Sequence, residues 1–168
     1  QAYAGRYVPK TQAVTLDGAT DPSSPKFRSD GVKDQRMAFT AVVYPQPIGF
    51  EAEWNFGQGP ELSDDYTSIS SKSLNGGYLL ANAKIDSDVG PVLPFVRWQY
   101  FDGGRKFGKN APSVLLNEWD FGVEWQPIPE FELTAQYSYT NERTNSNSYP
   151  YAQLTDGSRL GIQAQFNY

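Results

Sequence analysis

The chain of 168 residues contains no cysteine, no histidine and a single methionine. Without cysteine there is no disulfide framework and no thiolate metal site. Without histidine, Ser–His–Asp and Cys–His nucleophilic mechanisms are excluded, and so is histidine-ligated zinc. No apolar run reaches the ~18 residues that a membrane-spanning helix requires. The 14 basic and 19 acidic residues leave a net charge of −5, without the clustered basic surplus of a nucleic-acid binder. No signal peptide opens the chain at Gln1-Ala2-Tyr3, so it is expected to be cytosolic, already processed, or part of something longer. The length suits one domain.

What the chain has in quantity is aromatic side chains, 15% of residues, although its mean hydropathy is only −0.57. They fall in runs of period 2, which place successive side chains on opposite faces of a strand. Leu160, Ile162, Ala164, Phe166 and Tyr168 alternate with Arg159, Gly161, Gln163, Gln165 and Asn167. Phe131, Leu133, Ala135, Tyr137 and Tyr139 alternate with Glu132, Thr134, Gln136, Ser138 and Thr140. Trp119, Phe121, Val123 and Trp125 oppose Glu118, Asp120, Gly122 and Glu124, and Phe50, Ala52, Trp54 and Phe56 oppose Glu51, Glu53 and Asn55. Residues 92–102 and 77–86 alternate moderately, and 35–44 and 2–8 poorly. That makes eight expected strands and no helix.

The expected connections alternate in length. Residues 45–49, 87–91 and 127–130 read as short Pro/Gly turns, whereas 9–34, 59–76, 103–116 and 141–157 read as long polar loops. Outer-membrane barrels combine short periplasmic turns with long extracellular loops, and a soluble sandwich has no need to. Averaging hydropathy over such alternating strands erases the membrane signal. The expected strands also run near the ~9–11 residues of a tilted transmembrane strand, beyond the ~5–6 of an average one. Apolar-face aromatics sit at strand ends: Phe50, Trp125, Phe131 and Tyr168 near the turns, Phe56, Trp119, Tyr139 and Tyr100 near the loops. Two such rows fit the aromatic girdles of the bilayer interfaces.

Long ordered strings then resemble one family. Tyr44-Pro-Gln-Pro-Ile-Gly-Phe-Glu-Ala-Glu-Trp-Asn-Phe-Gly-Gln-Gly-Pro-Glu61, Phe95-Val-Arg-Trp-Gln-Tyr-Phe-Asp-Gly-Gly-Arg-Lys-Phe107 and Glu118-Trp-Asp-Phe-Gly-Val-Glu-Trp-Gln-Pro127 are similar to the phosphate-selective porin O and P family. The ending Gly161-Ile-Gln-Ala-Gln-Phe-Asn-Tyr168 resembles its last strand, closing on the terminal aromatic that bacterial barrels use as an assembly signal. The resemblance covers about residues 44–168. It implies gated or open diffusion channels of about 16 strands, usually homotrimers, in Gram-negative outer membranes, with lipid and lipopolysaccharide around them. Family members are roughly double this length, so the chain resembles their C-terminal half. The expected fold is therefore an all-β, transmembrane, antiparallel up-and-down barrel with eight strands in this chain. Either residues 2–8 pair with 158–168 to close a small barrel, whose interior side chains would fill, or the chain is half of a larger one. A soluble carbohydrate-binding sandwich with an aromatic core is the remaining alternative.

Function then rests on the inward face. Alternation points Arg6, Arg36, Lys84, Arg97 and Arg159 inward with Glu51, Glu53, Glu118, Asp120, Glu124 and Glu132. These are the candidate pore-lining residues. The near balance of charge does not by itself carry phosphate selectivity, which needs excess Arg and Lys. The family's phosphate site lies on an inward-folded loop and the wall, and has no residue-by-residue match here. The arginines either attract anions or pair with Glu51, Glu118 or Glu124 in a salt-bridged lumen, since buried charges are normally paired. Glu51/Glu53 and Glu118/Asp120 each sit two apart on one strand, but glycosidase carboxylates need an apolar pocket that spacing alone does not supply. Asp64-Asp65 reads as a solvated loop. Asp102-Gly103-Gly104-Arg105-Lys106 is either a flexible turn or a contact for anions and lipopolysaccharide phosphates. The expected function is passive diffusion of small polar solutes, anions such as phosphate among them, with no reaction, metal or cofactor. The alternative is a non-conducting structural or adhesive barrel.

Overall fold

A computed structural model describes residues 1–7, 15–16, 31–64, 68–108, 111–145 and 153–167. Val8, Asp65 and Tyr168, which the sequence assigned to a strand, an acidic loop and a girdle, lie outside the described residues. The strands are β1 (Ala2–Tyr7), β2 (Thr15–Leu16), β3 (Val32–Val43), β4 (Ile48–Leu62), β5 (Ser68–Ala83), β6 (Val92–Gly104), β7 (Ser113–Ile128), β8 (Phe131–Thr144) and β9 (Gln153–Phe166). One sheet takes them in the order β1-β3-β4-β5-β6-β7-β8-β9, each antiparallel to its neighbours, while β2 adds a parallel pairing to β5 at Ser68–Ile69. This is an up-and-down meander. Among the described residues there is no helix and no second sheet, so the sandwich is not its architecture.

The sheet is not closed. β1 pairs with β3 alone and β9 with β8 alone. Of the two alternatives, closure of residues 2–8 onto 158–168 is therefore ruled out for this sheet, whose two outer strands do not pair with each other.

Strands run well past their expected ends. β5 begins at Ser68 and β7 at Ser113, so much of the supposed loops 59–76, 103–116 and 141–157 is strand. Alternation lapses there because the extensions no longer divide an apolar face from a polar one: Leu62, Ile69 and Val114 are buried while Ser71 and Ser73 are exposed. Ser70-Ser71-Lys72-Ser73 in β5 is such a stretch. The long–short contrast consequently lies in strand overhang: β4 and β5 are separated by residues 63–67, β5 and β6 by 84–91.

Residues 44–47 and 129–130 join β3 to β4 and β8 to β7 tightly. Pro127, expected in that turn, instead sits in β7 beside a register shift between Trp125 and Ile128.

The aromatic-rich face is in the open. Phe39, Phe50, Phe121, Leu160, Ile162 and Phe166 are all more than half exposed. A small apolar cluster among the described residues lies at the loop end, where Val32, Leu62 and Ile69 are buried with Tyr7 against them. Ring stacking organises the open face. Trp54 and Tyr100 stack across Gly77 with centroids 6.2 Å apart, and Trp98 meets Trp54, Tyr100 and Trp119 at 6.0, 6.0 and 6.3 Å. Trp119 continues to Phe121 at 6.2 Å. Each such pair contributes roughly 0.5–1.5 kcal/mol beyond its buried area. Trp98→Ala removes three at once, so we expect a loss of about 2–4 kcal/mol. Urea unfolding from lipid vesicles measures it, and a midpoint equal to wild type would contradict the ladder's role.

Candidate functional site

The polar face is built by register. Paired residues of neighbouring strands share a face, so Arg97↔Asp120↔Ser138↔Arg159 and Glu118↔Thr140 form rows across β6–β9. Asp120 is 0% exposed. It accepts from Arg97 Nη2 and Nε at 2.7 and 2.8 Å, from Gln136 Nε2 at 2.7 Å and from Ser138 Oγ at 2.5 Å. That set satisfies both carboxylate oxygens and ties three strands together.

The other expected residues lie on the same face with separate partners. Tyr78 donates its hydroxyl to Glu51. Glu53 accepts from Asn55 at 2.9 Å and Thr40 at 3.4 Å. Thr140 donates to Glu118, Gln126 to Glu124 at 2.5 Å, and Asn167 to Glu132 at 3.1 Å. Lys84 pairs with Asp86 at 3.3 Å in the β5–β6 turn. Arg159 forms no ion pair among the described residues and borders a recess of about 300 Å³ with Gln136, Ser138 and Gln163. The expectation that Arg97 would pair with Glu51, Glu118 or Glu124 is corrected to Asp120. The carboxylate pairs of β4 and β7 are likewise held by neighbouring donors.

One expected inward residue faces the other way. Arg6 pairs in register with Lys33, one step out of phase with Asp34 and Arg36. A shift of one residue exchanges the faces of a strand, and β1 presents Tyr3, Gly5 and Tyr7 to the polar side instead. Arg6 donates to the Gly31 carbonyl at 3.1 Å.

The second centre of this face was not anticipated. At the end of β6, Gly103 lies over Leu74 and Gly104 over the Pro60 carbonyl so closely that a Cβ at either would sit 2.5 and 1.8 Å from them. Gly103 also has φ 147°, which side-chain-bearing residues rarely adopt. The glycine pair is thus a close backbone crossing and not a loose turn. It swings the β6–β7 connection inward, where Leu62 N–H donates to the Ala111 carbonyl at 2.8 Å. Lys106 Nζ then reaches Asp34 Oδ2 at 2.6 Å, and Arg36 Nε donates to Oδ1 at 3.0 Å. Lys106 also stands 4.7 Å from the Tyr3 ring centroid and 5.5 Å from that of Phe107, within cation–π range. Arg105 bonds Glu142 at 3.1 Å. Between connection and wall lies a cavity of about 480 Å³ edged by Arg36, Glu53, Tyr78, Arg105, Lys106 and Phe107. Asp64 accepts from Asn145 at 3.4 Å.

The girdle residues expected from sequence all lie on the open face, except Tyr168, which is not described. Trp125 donates its indole N–H to the Val89 carbonyl at 2.8 Å, and Phe131 packs on Phe166 at 4.9 Å. Trp54, Trp98 and Phe121, which sequence left out of the rows, link Tyr100 and Trp119 into one ladder. Their signal was present: all three share the apolar phase of their strands.

A meander with an uncovered aromatic face and a charged, hydrogen-bonded one fits the wall of a transmembrane β-barrel, the class of protein to which porins belong. Residues 25–168 match the family described as phosphate-selective porin O and P, and the chain belongs to that family. It is a family of outer-membrane proteins of Gram-negative bacteria. The match begins further upstream than the motifs that first suggested it. No curated protein and no solved structure matches the chain.

Proposed function

We propose that the chain forms part of the wall of an outer-membrane diffusion pore, with the polar face lining the lumen. Small polar solutes, including anions such as phosphate, pass along it. The observation that carries this reading is the division of one sheet into an exposed apolar face and a polar face whose carboxylates are held by neighbouring donors. Hydrocarbon suits the first and water the second. Lumen lining then falls to Arg36, Arg97, Arg159, Lys84, Glu51, Glu53, Glu118, Asp120, Glu124 and Glu132. The anion preference rests on a local excess: Arg36, Arg105 and Lys106 edge one cavity with a single carboxylate, Glu53, while their partners Asp34 and Glu142 lie off its rim. Closure requires strand partners for the outer edges of β1 and β9, because lipid satisfies no backbone group. Lipid and lipopolysaccharide against the apolar face, and a homotrimeric assembly, belong to the same proposal, as does a single barrel domain.

Planar-bilayer recording of the refolded protein tests it. We expect discrete conductance steps and a reversal potential of anionic sign under a salt gradient, moved toward cations by Arg105→Glu with Lys106→Glu. Folded protein that gives no steps would remove the pore. That outcome would favour the second reading, a structural or adhesive barrel, which the ion pairs held by Asp34 and Asp120 support.

A further inference from the structure

Toward the turn end of the polar face, the row Gly49↔Asn82↔Phe95↔Gly122↔Gln136↔Gly161 crosses six strands, and three of its six members are glycine. The missing side chains leave room that neighbours in the row occupy: the Asn82 amide lies over Gly49 and the Phe95 ring over Gly122. A Cβ on Gly122 would lie 2.2 Å from Phe95 Cζ and 2.6 Å from Cε1. An aromatic ring therefore lies on the polar face, out of phase with the rings of the lipid ladder. Beside it is a recess of about 270 Å³ bordered by Leu80, Leu93, Phe95, Arg97, Glu124 and Gln136.

The chemistry of this border is mixed. Leu80, Leu93 and the Phe95 ring form a small apolar floor. Glu124 supplies carboxylate acceptors, only one of which takes the Gln126 amide. Arg97 directs Nε and Nη2 to Asp120, which leaves Nη1 as a donor. Gln136 donates through Nε2 to Asp120 and Ser138, so its carbonyl oxygen is an acceptor. An anion would meet Glu124, and a hydrocarbon would strand the polar rim. A neutral ring with C–H faces and hydroxyls at its edge satisfies both: the C–H face lies on the aromatic, while hydroxyls donate to Glu124 and Gln136 and accept from Arg97.

We propose that this recess is a binding site for a neutral hexose, at which sugars dwell on their way along the wall. It rests on the pore reading for the route by which sugar arrives; the binding itself is a property of the folded sheet. The test is saturation-transfer NMR of methyl glucoside with the full chain refolded in detergent micelles. Transfer to the ring C–H protons is expected in the wild type. Phe95→Ala is expected to weaken binding about tenfold, Glu124→Gln to weaken it, and Phe95→Tyr to retain it. Tryptophan emission and heat-modifiable migration report that each variant is folded. No transfer in the wild type, or equal transfer in folded Phe95→Ala, overturns the site. Displacement of the sugar by inorganic phosphate at equal concentration also overturns it, because the recess would then be an anion site. Sugar binding in micelles without conductance in bilayers would sink the pore and leave the site; conductance without sugar binding would do the reverse.

Discussion

Asp34→Asn is expected to release the β6–β7 connection and to speed tryptic cleavage after Arg105 and Lys106 by roughly thirtyfold. The estimate follows from the bond removed. A charge-assisted hydrogen bond contributes about 1.5–3 kcal/mol, and each 1.4 kcal/mol changes an equilibrium tenfold. Asp34 is 0% exposed and holds Lys106 and Arg36 on separate oxygens, so a neutral amide weakens both grips together. Cleavage through local opening reads the population of the open form directly. The Leu62–Ala111 backbone bond remains, which keeps the global fold while the cationic segment frays. In bilayers the same variant is expected to conduct more, since the connection no longer lies across the lumen. Unchanged proteolysis would show that the crossing at Gly103 and Gly104 holds the segment without help from charge.

The second large effect is at Asp120. Asp120→Ala leaves Arg97, Gln136 and Ser138 without their common acceptor. Breaking a buried pair by deleting one partner costs about 3–5 kcal/mol. The Arg97 side chain is 34% exposed and can turn toward water, so the expected loss lies near the lower figure, about 3 kcal/mol. Urea unfolding followed by tryptophan emission measures it. Removing both charges, as in Arg97→Met with Asp120→Leu, is expected to destabilise less than Asp120→Ala alone, because no unpaired charge remains. If the double variant were the weaker protein, the pair would be worth more than the desolvation of its members, contrary to the usual balance.

Period-2 alternation made the two faces legible wherever a strand carries an exposed apolar face and a hydrogen-bonded polar one. Phe131 to Tyr139 and Leu160 to Phe166 keep phase without a break, and the structure places them as read. Legibility failed where that asymmetry ended. The overhang Ser70–Ser73 is polar on both faces, so nothing in it distinguishes strand from loop. β1 is too short and too weakly patterned to settle its own phase, and Arg6 went to the wrong face by a slip of one residue. The Asp34–Lys106 contact joins positions 72 apart through a backbone crossing that only a pair of glycines permits. A local pattern cannot announce a partner that distant. Glycines 49, 122 and 161 lie on three different strands, and only the register reveals that they share one row.

The outer edge of β9 carries a kinetic consequence. Alternate residues of this 14-residue strand turn their N–H and C=O groups away from β8, about seven pairs in all. Each unsatisfied group costs several kcal/mol in hydrocarbon, so a bare edge would cost on the order of tens of kcal/mol, against a net fold stability of about 5–15 kcal/mol. No half-inserted species with that seam exposed to lipid can accumulate. For the proposed pore, entry into the bilayer and pairing of the seam are therefore expected to be one event, with the partner of β9 at hand before the apolar face leaves water.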